Sequence, residues 1–315
     1  MNVCKCKAVR NWQNSIGVKI ISLDQNVVSN LVNNGSEPFW RDLREQLLAG
    51  VKEGKLLCPI PKETILETIP RGRENRIRIR NLLEQLSFGF SFKSFGTIEG
   101  EETLALVRSG VSTCPYERIV WLSAENDALT QAVAKESQKA KEVMRCRMDA
   151  FVPGPGQNNR TVKEIRCAVM ASRAAALFRQ VERLIADEPL DPSDDLQLEL
   201  CRLLISRGVT KAELKALREK ILTHRWEAIP VVFFAAALGA LLDHGRIRGR
   251  KYQVSDEVDV LRTATALHSA AMMITESPMT HLARQLGKEL GESLDVFAIN
   301  EREAIKATLE IALAA

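Results

Sequence analysis

Residues 18–26 read VKIISLDQN, and this stretch decides the fold. Its core is β-branched and apolar, without the alternation of a strand that has one wet face. A parallel strand buried on both faces reads this way. The run stops at Asp24-Gln25-Asn26, residues that favour turns and helix caps. A helical pattern, VVSNLV, follows at once. A strand that ends in an acid and opens directly into a helix belongs to an α/β sheet. In such sheets ligands gather at the carboxyl ends of the strands.

Working outward, residues 38–53 carry Phe39, Leu43, Leu47, Leu48 and Val51 at helical spacing, with Gly54 placed to end the helix. KLLCPI (55–60) is a second strand. Pro61 suits the first turn of a helix continuing through KETILETI. Residues 71–88 form a basic helix. FGFSFKSFG (88–96) reads as a loop or a short irregular strand. From about 100 to 225 the pattern is helical, interrupted at Pro115, PGPGQNN (153–159) and DEPLDPSDD (187–195). Thr210 and Glu213 form a capping box for the helix that follows. Pro230 to Leu242 is a buried helix, too short to span a bilayer.

Near the end, GRIRGRKYQVSDEVD (245–259) is a basic loop leading to a helix capped by Ser255 or Asp256. AAMMIT (270–275) is a strand. Ser277 caps the next helix, with Pro278 at its first position. LDVFAI (294–299) is a last strand before a short helix. Strand and helix thus alternate at both ends of the chain, while the middle is helical. The architecture expected is α/β: a central parallel sheet with flanking helices over 17–98 and 226–315, and a large all-helical insertion over 99–225.

The chain has 315 residues and a net charge of +4, which allows a nucleic-acid partner without demanding one. Seven cysteines are scattered with no zinc-finger spacing. They read as free thiols of a reducing cytoplasm. No signal-peptide pattern and no membrane-spanning segment are visible in the sequence.

Four acids stand where chemistry could use them. Asp24 ends the first strand. Glu67 lies on the helix after the second strand, with Glu63 one turn earlier. Asp259, with Asp256 before it, opens a late helix, and Glu276 follows the strand AAMMIT after Thr275. Carboxylates so placed can hold a hard divalent cation, which lowers the pKa of a bound water. Each acid also has a plainer reading: Asp24 and Asp259 as helix caps or dipole partners, and the glutamates as solvated surface.

The order of these features resembles the PIN-domain family of nucleases. ISLDQNVVSNL, LLCPIPKETILETI and DVLRTATALHSAAMMITES carry the resemblance, over roughly 18–95 and 225–300. It implies a metal-dependent endonuclease, with RNA as the more probable substrate than DNA. Asp24, Glu67 and Asp259 would hold Mg²⁺ or Mn²⁺, and Glu276 would assist catalysis. Thr275 would hydrogen-bond near the acids, and Asn26 and Ser29 resemble positions near the first of them. The chain departs from the family at the late strand. Ala271 stands just before it where many members have Asp, and Glu276 stands after it. That departure motivates a second reading, a PIN-like module that binds nucleic acid or protein without cleaving. Arg73, Arg76 and Arg80 on one helix, and Arg248, Arg250 and Lys251 in the late basic loop, would grip phosphates. The helical insertion would serve a homodimer or a protein partner. In a third reading the acids are only caps and do not converge in space.

Overall fold

The structure is a computed structural model that describes residues 17–61, 64, 72–118, 160–192, 195–224, 229–247 and 255–314. Along the chain come β1 (Lys19–Leu23), α1 (Gln25–Asn33), α2 (Pro38–Lys52), β2 (Leu56–Leu57), α3 (Arg73–Ser87), β3 (Phe90–Phe92), α4 (Phe95–Ala105) and β4 (Tyr116–Arg118). They are followed by α5 (Val162–Ile185), α6 (Asp195–Ser206), α7 (Lys211–His224), α8 (Pro230–Ile247) and α9 (Ser255–Ser269). The chain closes with β5 (Met272–Thr275), α10 (Ser277–Leu290), β6 (Val296–Ala298) and α11 (Arg302–Ala314). These elements fall into two units. One comprises residues 1–93, 116–152 and 252–315; the other comprises 94–115 and 153–251.

The first unit holds a four-stranded sheet in the order β2-β1-β5-β6, and every pairing in it is parallel. The two ends of the chain therefore meet in one sheet. Side chains along β5 alternate between two cores. Met272 and Ile274 pack with Ile21 and Leu23 of β1 and with α1, α2, α3 and α11. Met273 turns to the other face, where it meets Ala266 of α9, Ala283 of α10 and Val296 of β6. Both faces are covered, which is why neither β1 nor β5 shows polar alternation.

Gly54, just past α2, has φ +72°, a conformation glycine adopts without strain and one that turns the chain into β2. The segment 88–96 is more regular than expected. Phe90–Phe92 pairs antiparallel with Tyr116–Arg118, and the rings of Phe92 and Tyr116 lie 5.6 Å apart. α4 then starts at Phe95, capped by Ser94, whose hydroxyl accepts from the Thr97 N–H. The late helix also starts one residue earlier than its Ser-Pro signal suggested. Glu276 is the cap residue, and Ser277 is already helical. The expected helix at 62–69 lies almost wholly outside the described residues.

The second unit is helical throughout its described residues. α5, the longest helix, packs against α6, α7 and α8, and α4 packs on α6 and α8. Leu177, Val181, Leu204, Leu217, Val231 and Val232 are among the residues filling its core. Gly100 of α4 admits Leu203 so closely that a Cβ there would lie 1.8 Å from Leu203 Cδ2. Capping boxes appear at Thr161/Glu164 and, as expected, at Thr210/Glu213. Two buried acids on α4 are matched. Glu99 accepts from Arg173 at 2.7 Å, and Glu102 accepts from the Val231 N–H at the start of α8. Burial raises the Glu99 pKa, and Arg173 offsets part of that rise. No described helix is long and apolar enough to cross a membrane.

Candidate active site

The site is built where the carboxyl ends of β1 and β5 lie side by side. Leu23 registers with Ile274, and the Asp24 N–H donates to the Ile274 carbonyl at 3.0 Å. This register places Asp24 just beyond β1, next to Thr275 at the end of β5 and Glu276 beyond it.

Asp24 is the N-cap residue of α1, and its carbonyl accepts the Val28 N–H. Its side chain makes no capping bond. The carboxylate, 3% exposed, is used elsewhere. Oδ2 accepts from the Thr275 hydroxyl at 2.8 Å, and Oδ1 lies 3.2 Å from Nη1 of Arg262. Helix capping therefore does not explain why an acid stands here.

Arg262 is on α9, one turn after Asp259. Its Nη2 donates to Asp259 Oδ1 at 2.5 Å. One guanidinium, its side chain 7% exposed, thus lies against two carboxylates that are distant in sequence. Burial of Asp24 demands such a partner, since a buried charge left alone costs several kcal/mol. Glu276 sits on the more exposed side of the same edge, where its Oε1 accepts from Asn26 Nδ2 in the first turn of α1. Ser29 is turned away, its hydroxyl donating to the Gln25 carbonyl within α1.

Asp24, Asp259 and Thr275 are therefore linked through Arg262 and the Thr275 hydroxyl, while Glu276 and Asn26 form a pair of their own. Glu67 lies outside the described residues, as do Glu63, Arg248, Arg250 and Lys251. Arg73, Arg76 and Arg80 lie on α3. Arg80 pairs with Glu84 at 2.9 Å, and Arg78 between them donates to the Val32 carbonyl.

Ala271 requires a correction. Its N–H donates to the Ile20 carbonyl, which puts it at the entry of β5. At about 3.3 Å per residue, four residues separate it from Thr275 by about 13 Å. An acid at 271 would sit at the opposite edge of the sheet. Its absence takes nothing from the cluster.

The sequence reading missed Arg262. Its signal was available: an arginine three residues after Asp259 shares that acid's helix face. Asp24 and Asp259 each turn an oxygen toward one positive centre. In this structure that centre is a guanidinium. Among the described residues, no group of three or more His, Cys, Asp and Glu side chains could hold a metal ion. Two acids bridged by a guanidinium do not, as they stand, make a site for a divalent ion.

Cys58 is buried in the core, and its thiol is pushed up to about 12 by burial, so it carries no reactive thiolate. Cys58 and Cys167 are free thiols. No protein-family model matches the chain, and no curated protein or solved structure matches it either.

Proposed function

We propose that this chain is a PIN-like, Mg²⁺- or Mn²⁺-dependent endonuclease, acting on RNA in preference to DNA, with the helical unit as an addition to the PIN-like core. One observation carries the reading. Asp24 and Asp259, chosen from sequence order alone, share a single cationic partner at the carboxyl edge of a parallel sheet. Surface caps would have no reason to meet in this way.

In this proposal Asp24 and Asp259 would hold the ion, with Glu67 as the third carboxylate that the resemblance implies. When bound, the ion lowers the pKa of a water and stabilises the leaving oxygen. Thr275 keeps Asp24 oriented through its hydrogen bond. Glu276, which follows β5, would accept the proton of the attacking water. Asn26 donates to its carboxylate. Arg73, Arg76 and Arg80, with Arg248, Arg250 and Lys251, would attract the strand's phosphates.

The test is cleavage of labelled single-stranded RNA and DNA by the full chain, with Mg²⁺ or Mn²⁺ and with chelator. RNA cleavage that disappears with chelator and falls about 100-fold or more in Asp24→Asn is expected. Cleavage unchanged in that variant sinks the assignment. A non-catalytic reading is favoured by one observation, the guanidinium of Arg262 on both acids. It requires RNA binding that ignores chelator, with no cleavage at all.

A further inference from the structure

We infer that Phe88, with the arginines around it, is a stacking platform for the unpaired bases of a single-stranded nucleic acid. The inference rests on the nucleic-acid partner of the nuclease reading and on no metal. Phe88 caps the end of α3 and is 62% exposed, although phenylalanine is a residue of protein interiors. Its backbone is left-handed, with φ +48°, where a bulky side chain is strained and glycine or asparagine is at ease. Folding alone gains little from an exposed ring on a strained backbone. Strain of this kind clusters where a ligand is held.

The surroundings of the ring set the chemistry of its partner. α3 carries Arg73, Arg76, Arg78 and Arg80 against Glu74 and Glu84, an excess of positive charge. Ile77, 38% exposed, stands about three turns before Phe88 on the same side of the helix. Arg73 and Arg80, four residues before Ile77 and three after it, are its neighbours on that surface. Beyond Phe88, the exposed Arg118 of β4 lies over the ring of Phe90, 5.6 Å from its centroid. The turn between is anchored on both sides. The Leu86 carbonyl accepts the Cys58 N–H, and the Phe90 carbonyl accepts the Ile60 N–H. A ring so held, with cations on either side, suits a polyanion whose bases present π faces. The ring stacks a base and the guanidiniums meet phosphates. A duplex keeps its bases stacked on one another and offers the ring no face.

The experiment is fluorescence anisotropy of labelled oligouridylate, and of a labelled RNA duplex, with the full chain in chelator so that nothing is cut. Wild type, F88N, F88W and R73Q are compared. F88N should bind the single strand about tenfold more weakly and the duplex as wild type does, while F88W keeps the single-strand affinity. R73Q should reduce the slope of affinity against salt by about one. Asparagine adopts the left-handed backbone readily, so the melting temperature of F88N should be no lower than that of wild type. Single-strand affinity unchanged in F88N, or a melting temperature well below that of wild type, overturns the inference. So does a wild type that binds neither RNA. Sedimentation showing an oligomer in wild type that F88N breaks, with RNA affinity unchanged, gives the face to a second copy of the chain and also overturns it. The two readings fail separately. If F88N binds and cuts RNA as wild type does, the nuclease stands and the platform falls. If F88N loses single-strand affinity and no form of the chain cleaves with Mg²⁺ or Mn²⁺, the platform stands and the nuclease falls.

Discussion

The guanidinium of Arg262 lies 3.2 Å from the carboxylate of Asp24, with both side chains almost fully buried. Removing one partner of such a pair strands the other. Asp24→Ala should lower stability by about 3–5 kcal/mol. Asp24→Asn keeps the shape of the side chain and an acceptor for Thr275, and should cost less, about 1–3 kcal/mol. Urea denaturation of both variants checks the order. An alanine variant as stable as wild type would show that the pair does not hold the sheet edge.

Thr275 is fully buried, and its hydroxyl bonds Asp24. Thr275→Val removes the donor at nearly constant volume. It leaves a buried carboxylate oxygen short of a partner, which costs about 1–3 kcal/mol. If the chain is the nuclease proposed, the same variant should also slow cleavage, because Asp24 loses the bond that orients it. Denaturation and cleavage assays on one preparation read both effects.

In the helical unit Arg173 is the partner of buried Glu99. Arg173→Met should destabilise that unit by about 3–5 kcal/mol. The double variant with Glu99→Gln should recover much of the loss, because no charge is then left buried. A thermal melt of the single and double variants decides it.

Glu213 provides a pH handle on the same unit. Its carboxyl is lowered to about 2, chiefly by the hydrogen bonds from Arg108, with the Thr210 N–H helping. A folded pKa below the ordinary value of 4.5 contributes stability that is fully present above that value. The contribution is lost as pH falls toward about 2. Far-UV circular dichroism melts across that window should show wild type losing more stability than Glu213→Gln. Parallel curves would contradict the linkage.

Much of this arrangement could be read from sequence. The apolar run ending at Asp24 identified a strand buried on both faces. The strand ends at Asp24 and Thr275 meet because parallel strands share a carboxyl edge, and Asp259 reaches Asp24 only through Arg262. Periodicity could not reveal what the carboxylates bond. Asp24 has the sequence signature of a helix cap, yet its side chain makes no cap bond, and only the register of β1 on β5 brings it to Thr275. Arg262 carries a local signal only for Asp259, three residues before it. Its burial depends on how α9 packs on the sheet, which no local pattern encodes. Ala271 misled for a related reason. Nearness to Thr275 in sequence suggested nearness in space, but the length of β5 separates them.

The account turns on whether the oxygens of Asp24 and Asp259 are a metal site, and crystallography with anomalous scattering from Mn²⁺ asks this most directly. Crystals at saturating Mn²⁺ should show an anomalous peak bonded to both carboxylates, with the Arg262 guanidinium displaced from them. A guanidinium still seated on both acids, with no peak between Asp24 and Asp259, would contradict the claim.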